Sequence, residues 1–234
     1  MSSPRTHLVT GAGSGIGAAV ADRLHARGDE LLLVARSEER AEQLADRYPG
    51  AQTLVVDLAD PEAVDRVTGL PDRLDSVLHV AGVVDIEPVA DLHLDRIREQ
   101  LDVNLLAPAL LTRACLPAVR RAQGLVMFVN SAAGLSAGAA WSAYAASKFG
   151  LRALADALRA EEMEYGVRVT TLFPSRTATP MQEKVHEQEG RTYDSSRWIR
   201  PETVAETVLH VLDVPLDATI PEVTVRPLVP WTPR

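Results

Sequence analysis

Cysteine is nearly absent from this sequence, since Cys115 is the single one among 234 residues. One cysteine excludes an intrachain disulfide and fits a reducing compartment. The segment Met1–His7 also lacks the apolar core of a secretory signal, so we expect a cytoplasmic protein. On a helical segment, Cys115 is expected to be a small apolar packing residue rather than a reactive thiol.

Positive charge is also scarce: 24 Lys and Arg stand against 32 Asp and Glu, which gives a net charge of −8. This balance argues against a nucleic-acid surface, which needs clustered Lys and Arg. No apolar run approaches the roughly 20 residues that a membrane-spanning helix requires, so no membrane association is expected. Repeats and linkers are absent too, and we expect residues 1–234 to form one domain that needs no metal.

Short apolar segments alternate along the chain with longer segments of helical period. Leu31–Val34 is apolar at every position, as strands of a parallel sheet covered on both faces are. This alternation predicts an α/β fold with a doubly wound, mainly parallel, seven-stranded sheet flanked by helices. The predicted strands are His7–Thr10, Glu30–Ala35, Gln52–Val56, Ser76–Val80, Leu125–Asn130, Val167–Phe173 and Glu222–Arg226. The predicted helices are Ile16–Arg27, Ser37–Arg47, Pro61–Thr68, Leu92–Val119, Ser142–Glu164 and Pro201–Leu212.

Two segments depart from this alternation. Residues 174–200 are polar, and a loop-plus-helix insertion of this length is more often a lid over a site than idle surface. Residues 221–234 contain four prolines and predict an edge strand followed by an extended tail. Two interpretations of the tail stay open: it packs on a neighbouring subunit, or it is disordered.

A glycine-rich motif joins the first predicted strand to the first helix, in Thr10-Gly-Ala-Gly-Ser-Gly-Ile-Gly17. Gly11, Gly15 and Gly17 supply a tight turn, a close backbone approach and a helix–strand contact. The free N–H groups and the dipole of the helix start favour a diphosphate. The motif therefore predicts a dinucleotide site, formed by Gly11, Gly13, Ser14, Gly15, Ile16 and Gly17.

The second predicted strand ends in Val34-Ala35-Arg36-Ser37, without a carboxylate to hold a ribose 2′-hydroxyl. A guanidinium at this point matches a 2′-phosphate through charge-assisted hydrogen bonds. Arg36 therefore favours NADP(H) over NAD(H) as the cofactor. The alternative is a solvated arginine at the start of a helix.

Tyr144 and Lys148 lie four residues apart on a predicted helix, so both side chains share one face. A free tyrosine has a pKa of about 10, and a neighbouring ammonium is expected to lower it toward the working range of an acid–base catalyst. Ser131 ends the fifth predicted strand, from which its hydroxyl can reach the oxygen that the tyrosine protonates. These three residues predict carbonyl chemistry.

Together these motifs resemble the short-chain dehydrogenase/reductase family, which has a TGxxxGxG loop and a strand-end serine followed by Tyr-x-x-x-Lys. The resemblance extends from about Thr6 to Thr179. It implies a Rossmann-like fold and an oxidoreductase that interconverts a ketone or aldehyde with an alcohol by hydride transfer. It also implies a homodimer or homotetramer, paired through the helices around 101–119 and 142–164.

Other roles rest on the resemblance alone. Asn104 is implied to hold a water in a proton relay from the lysine, the alternative being a buried structural asparagine. Asp57 is implied to contact the adenine amino group, the alternative being a local turn. Thr179 is implied to contact the carboxamide or the diphosphate. The cofactor residues implied in this way are Asp57, Leu58, Ala81, Gly82, Tyr144, Lys148, Pro174, Thr177 and Thr179.

Two positions depart from the family pattern. The fourth strand ends His79-Val-Ala-Gly82 instead of Asn-Asn-Ala-Gly, which removes the asparagines that tie neighbouring strands. His79 is expected to lie in the core. Ser175 replaces a glycine after Pro174, and glycine would tolerate a positive φ there better than serine does.

The predicted substrate pocket is mostly apolar, so a hydrophobic ketone or alcohol is expected. Arg176 has two interpretations, binding a carboxylate or phosphate and pointing to solvent, and Trp141 is assigned either to the pocket or to the core. Other functions for the fold are an epimerase, dehydratase or enoyl reductase, or a non-catalytic NADP(H)-binding redox sensor. The predicted pocket residues are Val83, Val84, Leu135, Trp141, Phe173, Arg176 and Met181.

Overall fold

Seven strands form one sheet in this computed structural model, which describes residues 4–228. The strand order is β3-β2-β1-β4-β5-β6-β7, and every neighbouring pair is parallel. The chain order reverses between β1 and β4, the point at which ligands bind in open α/β sheets. The predicted doubly wound sheet is confirmed. Its strands are β1 (Thr6–Thr10), β2 (Glu30–Ala35), β3 (Gln52–Val55), β4 (Ser76–His79), β5 (Leu125–Val129), β6 (Arg168–Pro174) and β7 (Glu222–Val225).

Helices cover both faces of the sheet. β2 and the last helix have the bounds that the sequence predicted, while other ends differ by a few residues. The helices are α1 (Gly15–Ala26), α2 (Glu38–Arg47), α3 (Pro61–Asp65), α4 (Leu94–Leu101), α5 (Ala107–Ala122), α6 (Ser142–Glu162), α7 (Pro180–Gln188) and α8 (Pro201–Leu212).

The helix predicted over Leu92–Val119 is in fact two helices, α4 and α5, joined by a π-helical turn at Asp102–Leu106. Pro108 follows this turn and has no N–H to donate back into it, which favours the local change of pitch. The turn contains Asn104, which is fully buried. The interruption therefore fixes where this asparagine enters the protein interior.

β2 shows why the strands are apolar at every position. Leu31 and Leu33 face a core layer shared with α1, α2 and α8, whereas Leu32 and Val34 face a second layer shared with α3, α5 and α6. Successive side chains of a strand point to opposite faces, so a sheet covered on both faces requires apolar residues throughout. Burial on both faces also fixes the register, because a slip of one residue would exchange the two layers.

One stretch of the described chain, Leu94–Ala122, is long and apolar enough to cross a membrane by length and composition, contrary to the sequence expectation. Half of its most apolar window is buried inside the protein. Leu111 and Cys115 of this stretch pack in the second core layer, and burial raises the pKa of the Cys115 thiol to about 12. A core helix of a globular α/β fold passes the same test of composition.

The segment 174–200 leaves the sheet after β6 and carries α7. Its two ends lie side by side, because Thr177 and Ile199 form a parallel bridge and Ala178 donates a hydrogen bond to the Ile199 carbonyl at 2.8 Å. β7 lies at the sheet edge, and the part of the tail from Val229 onward falls outside the described residues. Positive φ angles occur among the described non-glycine residues at Gln123 and Ala140. Ser175 therefore does not need the backbone freedom of the glycine that it replaces.

Candidate active site

The glycine loop lies at the carboxyl end of β1, and two of its glycines allow close backbone contacts. Gly11 has a φ of +73°, and a Cβ atom there would lie 2.9 Å from the Cα of Ala81. A Cβ atom on Gly17 would overlap the carbonyl of Gly11. Ser14 caps α1 without a side-chain hydrogen bond. The loop thus holds the start of α1 close to β1 and β4 and leaves its first N–H groups facing a cavity.

Thr10 replaces the strand-tying asparagines that the sequence lacks. Its hydroxyl oxygen accepts hydrogen bonds from the N–H groups of Val80 and Ala81, at 2.9 and 3.0 Å. One buried side chain therefore joins β1 to the end of β4. His79 lies in the core as expected, bonded to Thr112 and stacked on Phe128, and burial lowers its pKa to about 3.

Two arginines border the cavity at the carboxyl end of β2. Arg36 is exposed there. Arg40, one helical turn further on α2, donates a hydrogen bond to the Gly13 carbonyl at 3.0 Å. Sequence reasoning missed Arg40, although its position in the first turn after the strand end was a usable signal. Asp57 borders the same end and accepts a hydrogen bond from Ala59 N–H at 3.0 Å, as the local-turn interpretation requires.

All the predicted cofactor residues line one cavity of about 760 Å³, which extends from Arg36 and Asp57 to Tyr144 and Met181. A volume of this size is within the range of small-molecule and cofactor sites. Ser131, Tyr144 and Lys148 line the same cavity, and Tyr144 packs in one cluster with Val185 of α7. Asn104 does not line the cavity.

The predicted catalytic side chains meet between β5 and α6. The neighbouring Ser131 hydroxyl lowers the pKa of Tyr144, but burial has the larger, opposite effect and raises that pKa to about 12. Burial lowers the pKa of Lys148 to about 8, and its Nζ donates to the Val129 carbonyl at 3.2 Å. Nζ is 5.8 Å from the centre of the Tyr144 ring. The expectation that the ammonium would lower the tyrosine pKa is wrong here, because loss of hydration dominates.

Asn130 links the serine to the lysine and was missed by sequence reasoning. Its Oδ1 accepts from the Ser131 N–H at 2.8 Å, and its Nδ2 donates to the Lys148 carbonyl at 2.9 Å. The side chain fits beside Gly134, where a Cβ atom would collide with it. A buried polar side chain with both ends bonded fixes β5 relative to α6. Its position directly before the strand-end serine was a signal that could have identified it.

Asn104 has a structural role in addition to any relay. Its Oδ1 accepts from the Val83 N–H and its Nδ2 donates to the Val83 carbonyl, both at 2.9 Å. Nδ2 also donates to Ser147 Oγ at 3.0 Å. Both amide hydrogens are thus used within the protein. The side chain holds the loop after β4 against α6, which agrees with the buried structural interpretation.

The predicted substrate pocket is right in part. Val83, Val84, Trp141, Arg176 and Met181 line the cavity, and Gln182 and Val185 of α7 join them. Leu135 and Phe173 do not line it. Phe173 is fully buried below the guanidinium of Arg152, which is 5.7 Å from its ring. Its backbone lies at the correct strand end, but its side chain points to the α6 face.

Trp141 and Arg176 define the wall next to the tyrosine. The Trp141 ring meets the Tyr144 ring edge-on, with 5.7 Å between centroids. The Arg176 guanidinium is bonded to the Glu189 carboxylate, at 2.9 and 2.5 Å. Neither interpretation of Arg176 from the sequence included this acid. Trp141 therefore belongs to the pocket, and the charge of Arg176 is balanced by the Glu189 carboxylate.

The residues present fit a nicotinamide dinucleotide. A side chain at Gly11 or Gly17 would collide with the backbone of Ala81 or Gly11, so the tight loop needs both glycines. The start of α1 offers free N–H groups to a diphosphate. Arg36 and Arg40 add positive charge at the far end. Such a cofactor supplies or accepts the hydride, and the protein supplies position and charge.

Comparisons with known proteins agree with this geometry. Residues 5–190 match the family model of the short chain dehydrogenases. An uncharacterized oxidoreductase of Staphylococcus aureus strain MW2 is 28% identical over 94% of this chain and 96% of its own. Dehydrogenase/reductase SDR family member 7B of Bos taurus is 32% identical over 95% of this chain and 77% of its own.

A solved structure from Beutenbergia cavernae, a candidate NAD(P)-dependent gluconate 5-dehydrogenase with bound NADP, is 31% identical. It aligns with a TM-score of 0.81 over 94% of each chain. The family match covers most of the chain, including the loop, the serine, the tyrosine and the lysine. The chain belongs to the short-chain dehydrogenase/reductase family and is an oxidoreductase that acts on CH–OH groups with NAD(P).

Proposed function

We propose that this enzyme reduces a ketone or aldehyde to an alcohol with NADPH, and that Tyr144 donates the proton. The observation that carries the proposal is that Tyr144 lies beside Ser131 and one helical turn from Lys148, in a cavity that has Arg36 and Arg40 at its other end. Two guanidinium groups at the ribose end favour a 2′-phosphate. NADP bound to the Beutenbergia relative supports the same choice.

The protein's contribution to the reduction starts with Ser131, whose hydroxyl orients the carbonyl oxygen toward Tyr144. Because burial raises the tyrosine pKa to about 12, the phenol is protonated at neutral pH and is ready to act as an acid. As hydride arrives at the carbonyl carbon, the Tyr144 proton moves to the oxygen and an alcohol forms. Lys148 then provides the nearest buried ammonium for return of a proton to the phenolate.

The pH dependence of alcohol oxidation follows from the same pKa. Oxidation of an alcohol would require Tyr144 as a base, which is costly to generate in a site that raises its pKa. We infer that alcohol oxidation is slow at neutral pH. Oxidation is expected to accelerate as the pH rises.

The test follows NADPH absorbance across ketones, aldehydes and diketones, with NADH in parallel. We expect turnover that prefers NADPH. The Tyr144→Phe variant should lose about 10²–10⁴-fold in kcat, the usual contribution of a general acid, while it retains NADPH affinity. Full activity of Tyr144→Phe would contradict the mechanism, and tight NADPH binding without turnover of any carbonyl would favour a redox sensor.

We also propose that the chain forms a homo-oligomer. Apolar side chains that remain exposed on the π turn and on α6 and its end support this: Leu106, Phe149, Met163 and Tyr165. Light scattering after size exclusion should give a dimer or tetramer. Phe149→Glu should shift the measured molar mass toward that of the monomer.

A further inference from the structure

The positive charge of Arg176 in the substrate pocket is neutralised by an ion pair with Glu189. Arg176, in the loop after β6, lines the cavity, and Glu189 follows the last residue of α7. The two guanidinium nitrogens of Arg176 donate to the two carboxylate oxygens, at 2.9 and 2.5 Å. The side chains are only 20% and 13% exposed. This bidentate geometry is the strong form of an arginine–carboxylate contact.

Aromatic rings hold the same guanidinium in place. Its carbon lies 5.9 Å from the Trp141 ring and 5.6 Å from the Trp198 ring. Trp141 in turn contacts the Tyr144 ring. The ion pair is therefore one aromatic ring away from the tyrosine, and two indole rings stabilise the guanidinium.

Glu189 is charged throughout the working pH range. Burial alone would raise its pKa, but the hydrogen bonds and charge of Arg176, with Arg191 at 3.7 Å, lower that pKa below its ordinary value. The pair therefore persists at neutral pH. The apolar side chains of Val83, Val84 and Met181 complete this part of the wall.

We propose that Glu189 is a specificity-determining residue: by occupying Arg176, it restricts the pocket to uncharged carbonyl substrates and excludes carboxylates and phosphates. The proposal rests on the carbonyl reduction proposed above. A substrate anion would have to displace Glu189 from Arg176 and leave a largely buried carboxylate without its main partner, which is costly. An uncharged ketone disturbs no charge.

The experiment compares acetophenone with 4-acetylbenzoate, which differ by one carboxylate. For the wild type with NADPH, we expect kcat/KM to be at least about 10-fold lower for 4-acetylbenzoate, the range of a lost charged hydrogen bond. Glu189→Gln removes the carboxylate that neutralises Arg176 and should raise the carboxylate-to-neutral ratio of kcat/KM about 10-fold or more. Adding Arg176→Gln should remove that gain.

The matched control is Glu187→Gln. Glu187 is exposed on the same helix, outside the cavity, and its substitution removes the same charge. We expect it to leave the ratio unchanged. An equal shift in both variants would assign the effect to net charge and overturn the proposal, as would a wild type that uses both ketones equally well.

Binding distinguishes this proposal from the proposed function. Calorimetric titration of the enzyme–NADPH complex with each ketone requires no turnover. If neither ketone is reduced, the proposed function fails, yet selective gain of 4-acetylbenzoate binding in Glu189→Gln still supports the role of Glu189. Absence of that selective gain overturns it.

Discussion

The two ends of the cavity are built differently. The cofactor end is formed mainly by glycine and backbone at the ends of β1 and β4, with Arg36 and Arg40 at its border. The substrate end is formed by side chains from α7 and the loops around it. Backbone positions follow from the sheet itself. Side chains on an insertion depend on contacts such as Arg176 with Glu189. We therefore expect changes at the first end to be severe and general, and changes at the second to be small and selective for substrate.

Among changes at the two ends of the cavity, the largest expected effect is at Gly17, whose Cβ would overlap the Gly11 carbonyl. Gly17→Ala should weaken NADPH binding by about 100-fold, because the added methyl group would force the start of α1 away from the glycine loop. The dissociation constant is measured by NADPH fluorescence, with thermal unfolding to show that the variant is folded. Gly28→Ala is the control: its φ of +78° makes it strained, but nothing lies within 4 Å. It should lose about 1 kcal/mol of stability and no affinity.

The pH profile tests the catalytic group between the two ends. Because the pKa of Lys148 is lowered to about 8, its ammonium is lost above that pH. The reduction kcat should then fall about tenfold per pH unit, while Tyr144, with a pKa near 12, stays protonated. Lys148→Arg, which remains charged, should move the fall to higher pH. A decline that begins only above about pH 11 would assign it to Tyr144 and contradict a role for the lysine charge.

Arg36 and Arg40 test the side chains of the cofactor end, and Arg40 also donates to the Gly13 carbonyl of the loop. Arg36→Ala and Arg40→Ala should each raise the KM for NADPH about 10-fold and leave that for NADH nearly unchanged, since each removes one charge-assisted contact to a 2′-phosphate. Arg98→Ala, an exposed arginine outside the cavity, controls for net charge. Equal losses with both cofactors would show that the two arginines do not select the phosphate.

The smallest expected effect is at Met181, which lines the substrate end and is 36% exposed. Met181→Ala should change the ratio of kcat/KM between a bulky and a small ketone by about threefold, less than a fully enclosed contact would give. Leu135→Ala, outside the cavity, should not change that ratio. A larger effect at Leu135 than at Met181 would mean that the pocket is lined differently in the working enzyme.

The contrast between the ends also explains what the sequence could predict. The bounds of β2 follow from an uninterrupted apolar run between polar ends, and the glycine loop follows from a motif whose spacing has a backbone cause. Phe173 was assigned to the pocket because it ends a strand near the motif, but the face on which a strand-end side chain lies depends on register. Glu189 had no local signal, since its partner lies 13 residues away across a helix.

The bridge between Thr177 and Ile199 has a consequence for how the substrate range of such an enzyme can change. Since the insertion leaves and rejoins the fold at one point, a donor segment of another length could be exchanged between these residues without displacing β6 or α8. Doubling the length of a flexible loop costs only about 0.6 kcal/mol in closure entropy. Chimaeras that exchange only the residues between Thr179 and Ile199 would therefore replace the substrate-facing side chains of α7 and keep the cavity residues Thr177 and Thr179.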